Sequence, residues 1–230
     1  MTFLSSVFPA NIDHQLAHIK RSIYLHKNGV VSESIESKGI RYAKNYGVSM
    51  PDLKQMSQIL PHEAALAQRL WEEKIRETML LATILYPSEM MDLSKARLWM
   101  KDINNIELAE QAARNLFSKA PDAEAMIAVW IQSDDSWQQS TALITAAYCI
   151  EQLSSDALSR IDEQTLAVKK DTAYEIYWAV ALYLKKRGGI DRKSAQRILR
   201  QIGKFKDSSH LSERYIFEEV STILCYQFDL

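Results

Sequence analysis

The stretch PDAEAMIAVWIQSDDSWQQSTALITAAYCIEQL, residues 121–153, holds two helical runs and a single break between them. Pro121 and Asp122 supply a helix start, and Met126, Ile127 and Trp130 then recur at the spacing of one helix face over 122–132. Ser133-Asp134-Asp135 interrupts the run with residues that cap helices, and a second run follows over 135–152. Two helices joined by so short a turn must lie antiparallel against one another.

The same theme continues on both sides. Downstream, helical runs are expected near 155–169, 171–187, 191–203 and 210–226, separated by Ser154-Ser155-Asp156 and Gly188-Gly189. Upstream, runs over 74–86, 88–101 and 104–118 are punctuated by Tyr86-Pro87-Ser88 and Ala120-Pro121-Asp122. Ser49-Met50-Pro51-Asp52 and Leu60-Pro61 start two more. Residues Asn11 to Lys27 put Ile12, Leu16, Ile19, Ile23 and Tyr24 on one face, with Asn28-Gly29 read as the stop. Ile35, Ile40, Tyr42 and Tyr46 offer the apolar positions of a further helix over 30–46. No stretch alternates as a strand does.

Some ten short helices with tight connections form either a bundle or a solenoid. Helix pairs recur here at about 30 to 40 residues, the regime of HEAT-like repeats, which favours the solenoid. The expectation is an all-α superhelical solenoid of HEAT-like antiparallel helix pairs, one domain over 1–230, with residues 1–45 atypical. Only six Gly and five Pro in 230 residues agree with a helical chain.

Bulk charge narrows the partners. A net charge of −1 lacks the basic excess that tight, nonspecific DNA binding rests on, so any DNA contact must use a local basic face. Lys169-Lys170, Lys185-Lys186-Arg187, Arg192-Lys193, Arg197, Arg200, Lys204 and Lys206 concentrate positive charge in 169–206. That stripe reads either as a track for phosphates or as ordinary solvated helix ends. Cys149 and Cys225 lie far apart in apolar contexts and read as reduced, packed thiols. His14 and His18 share a helix face without a third ligand nearby, so no metal site is expected. Nor does any motif imply a cofactor. No apolar run has membrane-spanning length and the N-terminus lacks a signal-peptide pattern, so a cytoplasmic, monomeric protein is expected.

Three segments, in order, resemble the AlkD-like DNA alkylation repair family. Tyr46-Gly47-Val48-Ser49-Met50-Pro51-Asp52-Leu53-Lys54 resembles its Y-G-V-x-x-P-x-L-R segment. Leu70-Trp71 with Arg76-Glu77-Thr78-Met79-Leu80-Leu81-Ala82 is similar to its L-W…h-E-x-R-x-L-A stretch. Trp130 with Ser133-Asp134-Asp135-Ser136-Trp137 is like its W-x-x-S-x-x-x-W turn. With Asn115-Leu116-Phe117, the likeness spans roughly residues 40 to 185.

That resemblance implies a right-handed superhelix whose concave face holds duplex DNA and excises cationic alkylpurines such as 3-methyladenine and 7-methylguanine. A carboxylate would stabilise the oxocarbenium-like sugar and position water. The family's W-D-x-x-D motif falls on Ile106-Glu107-Leu108-Ala109-Glu110, which makes Glu110 the candidate catalytic acid, one methylene longer than the family's Asp. An alternative reading puts Glu107 and Glu110 on a solvated face, with Arg114 as the i,i+4 partner of Glu110. The family's DNA-gripping Arg is replaced by Ser140, after Trp137-Gln138-Gln139. Trp178, in Tyr177-Trp178-Ala179-Val180, matches the aromatic beside the lesion's sugar, and reads alternatively as core beside Ile176 and Leu182. The expected DNA contacts are Trp137, Ser140, Lys169, Lys170, Lys185, Lys186 and Arg187. Trp71 and Trp130 are expected in the core; Trp99 is either core or rim. A non-catalytic HEAT-like scaffold is the alternative to a repair enzyme.

Overall fold

A computed structural model describes residues 11–167 and 172–230, and these form thirteen α-helices with no extended strand. They are α1 (Ile12–Leu25), α2 (Gly29–Ser37), α3 (Met50–Ser57), α4 (Ala64–Glu72), α5 (Arg76–Leu85), α6 (Leu93–Met100) and α7 (Ile106–Asn115), followed by α8 (Ala123–Trp130), α9 (Ser136–Tyr148), α10 (Ser155–Leu166), α11 (Tyr174–Gly188), α12 (Arg192–Ile202) and α13 (Leu211–Phe228). Short 3-10 turns over Ser88–Met90, Phe117–Lys119, Ile150–Gln152 and Gly203–Phe205 follow α5, α7, α9 and α12.

Local chemistry sets many of the helix starts. Ser49, Asp92, Asn105, Asp135, Ser154 and Asp191 each accept a hydrogen bond from a backbone N–H in the first turn of the helix that follows. Six of the starts are therefore written in single residues just ahead of the apolar run.

Tertiary contacts show why the helices stack rather than bundle. The Arg76 guanidinium at the start of α5 meets Glu107 at the start of α7, and Asn115 at the end of α7 donates to Thr83 at the end of α5. Those two helices are thus parallel neighbours. Ser136 and Glu175 join the starts of α9 and α11 in the same way. Lys185 then reaches Glu219, tying α11 to α13. A continuous row, α3, α5, α7, α9, α11 and α13, results.

The intervening helices make a second row. Trp99 donates its indole N–H to Gln68 at 2.9 Å, and its ring stacks on Trp71 at 4.1 Å between centroids, which pins α6 to α4. Asp122, which immediately precedes α8, accepts from the Leu93 N–H of α6, and Glu124 of α8 accepts from Ser154 ahead of α10. Asp162 of α10 faces Arg197 of α12. These pairs are separated by 29, 30, 31 and 35 residues along the chain (197 − 162 for the last), so each repeat touches the next at an equivalent position. The fold is the expected superhelical solenoid. Trp71, Trp99 and Trp130 are all core, each 1 % exposed.

Two expectations fail near the N-terminus. Asn28-Gly29 is a start, not a stop: His26 ends α1, and the Asn28 side chain accepts from Val31 N–H to cap α2. The helix expected over 30–46 stops at Ser37, where Gly39 turns the chain at φ +79°. Residues 40–48 instead run extended along the start of α5. Lys44 pairs with Ile75, its carbonyl accepting from Arg76 N–H at 2.9 Å, and Tyr46 and Val48 donate their N–H groups to the buried Glu77 carboxylate. Those backbone donors need a partner once buried, and Glu77 is the one within reach.

Candidate nucleic-acid interface

The residues singled out on α7, α9 and α11 sit on three consecutive helices of one row. Their environments differ.

Glu107 is not solvated. Its carboxylate takes a two-pronged grip from Arg76, 2.8 Å from Nε and 2.6 Å from Nη2, and a third hydrogen bond from the Tyr42 hydroxyl at 2.9 Å. Arg76 is itself buried, and its Nη1 also reaches the Val48 carbonyl and Glu77. Burial opposes the guanidinium charge, yet the bonds and charges of Glu107 and Glu77 outweigh it and hold Arg76 firmly protonated. Burial, reinforced by the Glu107 charge, likewise keeps Tyr42 neutral. This network ties the extended 40–48 segment to α5 and α7. It is architecture.

Glu110, less than one turn further on, is partly exposed. It forms no ion pair with Arg114. Instead its Oε1 accepts from the hydroxyl of Tyr148, the last residue of α9, at 2.8 Å. Arg114 lies over one side of the Tyr148 ring at 5.7 Å, and Lys186 of α11 lies over it at 5.9 Å. Burial and the hydrogen bond to Glu110 push the Tyr148 phenol up to about 12, so it stays a donor at neutral pH. A phenol whose proton is not lost thus joins one carboxylate to two cations, one from the carboxylate's own helix and one from α11. Tyr148 escaped the sequence reading; its one signal is that it falls about three turns from Trp137 and so on the same face of α9.

Trp137 and Trp178 are both partly buried and packed against the core, near the starts of α9 and α11 that Ser136 and Glu175 join. Beside Trp178 on α11, Tyr174 and Tyr177 form an edge-to-face cluster with Tyr215 of α13. Ser140 is different: it is fully buried, and its hydroxyl donates to the Trp137 carbonyl at 3.1 Å. It is closed to a phosphate.

The basic stripe also comes apart. Consecutive helix residues point about 100° from one another, so Lys185, Lys186 and Arg187 diverge. Lys185 pairs with Glu219 of α13 at 2.9 Å, and Arg187 turns to Asp162 of α10 at 3.5 Å. Arg197 shares Asp162, while Arg192 binds the Phe228 and Asp229 carbonyls at the end of α13. Of the three, only Lys186 stays exposed without a carboxylate partner among the described residues. Lys169 and Lys170 lie outside those residues. No group of three or more His, Cys, Asp or Glu able to hold a metal occurs among the described residues, and no helix there is long and apolar enough to cross a membrane.

Against known proteins, a sequence profile of the DNA alkylation repair enzyme family matches residues 25–215. No curated protein matches the chain. A solved structure described as "a new family of proteins related to the HEAT-like repeat DNA glycosylases with affinity for branched DNA structures" superposes with a TM-score of 0.78. It is 15% identical and covers 92% of this chain and 96% of its own. At that identity the likeness speaks for the fold.

Proposed function

Because the chain belongs to the DNA alkylation repair enzyme family, we propose that it binds duplex DNA along α7, α9 and α11 and that Glu110 supports release of cationic alkylpurines. One observation carries this reading: the Glu110 carboxylate is held by the hydroxyl of Tyr148, over whose ring lie Arg114 and Lys186. Two cations suit the phosphates on either side of a lesion. A carboxylate in the same cluster suits a sugar that becomes positive.

In that reaction the C1′–N bond breaks and its electron pair goes to the purine nitrogen, which neutralises the cationic base. The sugar is left as an oxocarbenium, whose charge the Glu110 carboxylate offsets. Water then adds at C1′ and gives its proton to Glu110, which passes it to solvent. The Tyr148 hydrogen bond occupies Oε1 and fixes the side chain, which counters the positional freedom of the added methylene.

The test is release of 7-methylguanine from duplex DNA. Glu110→Gln is expected to lose at least about 100-fold in rate, as for a mispositioned or missing electrostatic group. Unchanged release by that variant removes Glu110 from the chemistry. A second reading, DNA binding without excision, is favoured by the buried Ser140, which leaves the family's backbone-gripping position without a group to offer. Salt-dependent duplex binding by a wild-type protein that releases no base supports that reading instead.

A further inference from the structure

A hollow of about 350 Å³, separate from the Glu110 cluster, lies where the extended segment crosses the starts of α5 and α7. Arg41, Lys74 and Lys101 line it, from three separate segments, over an apolar floor that includes Met79 and Leu108. Asp102 is its one carboxylate, and that group is already engaged by Lys74 and by the Trp71 indole N–H at 2.7 Å. Arg41 and Lys101 are exposed and form no ion pair with any described residue. Three cations against one carboxylate leave the hollow two charges positive, in a protein whose net charge is −1. Glu107 nearby does not cancel this, because Arg76 and Tyr42 already hold it.

We infer that this hollow binds a phosphate group. The Arg41 fork and the Lys101 ammonium come from separate segments of chain, as suits a multi-oxygen anion, and the apolar floor strengthens their field. A chain of acidic side chains would need a continuous basic strip, whereas these cations line one hollow. Resting on the DNA-binding reading, the phosphate is one of the duplex backbone, gripped one row step before the Glu110 cluster. A free phosphate-bearing ligand is the other source of the same chemistry.

Both arms of the test use the full chain. In the first, binding of a short duplex is followed across salt for wild type and for Arg41→Gln/Lys101→Gln. The slope of log K against log salt is expected to fall by about 0.9, the value for one phosphate no longer neutralised. A charge-matched control, Lys193→Gln/Lys206→Gln, on and just beyond α12 in the other row, is expected to leave the slope unchanged. In the second, inorganic phosphate is titrated into DNA-free protein while the Arg41 side-chain NMR signal is watched. A saturable shift that Lys101→Gln abolishes is expected. Phosphate binding by a protein that shows no duplex affinity at low salt sinks the DNA-binding reading but keeps this site. An unchanged slope together with an unmoved Arg41 signal overturns the site, and steep salt dependence in that same wild type leaves the DNA-binding reading standing without it.

Discussion

Glu107 and Glu110 share a helix and lie less than one turn apart, yet they belong to different regions. The Glu107 region is closed: a buried guanidinium, two carboxylates, a neutral phenol and backbone N–H groups satisfy one another. The Glu110 region is open: its carboxylate accepts from Tyr148, and the two cations beside that ring stay free of carboxylates among the described residues. Polar groups that are fully paired specify a fold, and those left partly paired at a surface remain available to a ligand. The same residue type, three positions on, thus serves architecture in one place and is offered to solvent in the other.

The difference predicts opposite outcomes for the same substitution. Glu107→Ala leaves Arg76 buried with only Glu77 as counter-charge, and is expected to cost about 3 kcal/mol, the low end for a broken buried pair. For a chain of this size that lowers Tm by roughly 6–12 °C, read by thermal denaturation. Glu110→Ala removes one acceptor from a partly exposed phenol and is expected to cost about 1 kcal/mol. Equal losses would erase the distinction.

Gly47 tests the closed region from its other side. It holds φ +73°, and a Cβ there would stand 2.0 Å from the Asn28 carbonyl oxygen. Gly47→Ala is expected to destabilise by at least about 1–3 kcal/mol from the backbone conformation alone, with hydrogen exchange at the start of α2 speeding up first.

A smaller effect separates two neighbouring basic residues. Lys186→Gln is expected to reduce the salt slope of duplex binding by about 1, and Arg187→Gln to leave it unchanged while lowering stability, since its charge is spent on Asp162.

The smallest is spectroscopic. The Tyr148 phenol is raised above its ordinary value, so the folded state holds this proton more tightly than the unfolded chain. Its contribution to stability is whole below about pH 10 and is lost as pH rises through about 12. In Glu110→Gln the phenolate absorbance step is expected to move partway down, because burial, the larger cause, remains.

What the sequence made legible was local. The α8–α9 pair follows from Met126, Ile127 and Trp130 at helical spacing and from Asp135, which caps α9 as its position suggests. Asn28 misleads because Asn suits both ends of a helix, and the deciding partner, the Tyr46 carbonyl that accepts its N–H, lies eighteen residues on (46 − 28). Residues 40–48 carry apolar spacing fit for a helix, and lose it to an extended course because Glu77 supplies acceptors that no local pattern reveals. In the site, Lys185-Lys186-Arg187 is dense in sequence and dispersed in space, while Glu110 and Tyr148 are 38 residues apart and in contact. The motif Arg76-Glu77 marked the family; its physical purpose became visible only when the chain it holds was in view.

The central claim, that DNA lies along the open region, is tried most directly by duplex binding across a salt series for Arg114→Gln/Lys186→Gln beside wild type. If the claim holds, the slope falls by about two phosphates' worth and affinity drops with it while the melting temperature barely moves. Wild-type slope and affinity in that double variant would place the DNA elsewhere on the solenoid and leave Glu110 with no substrate to act on.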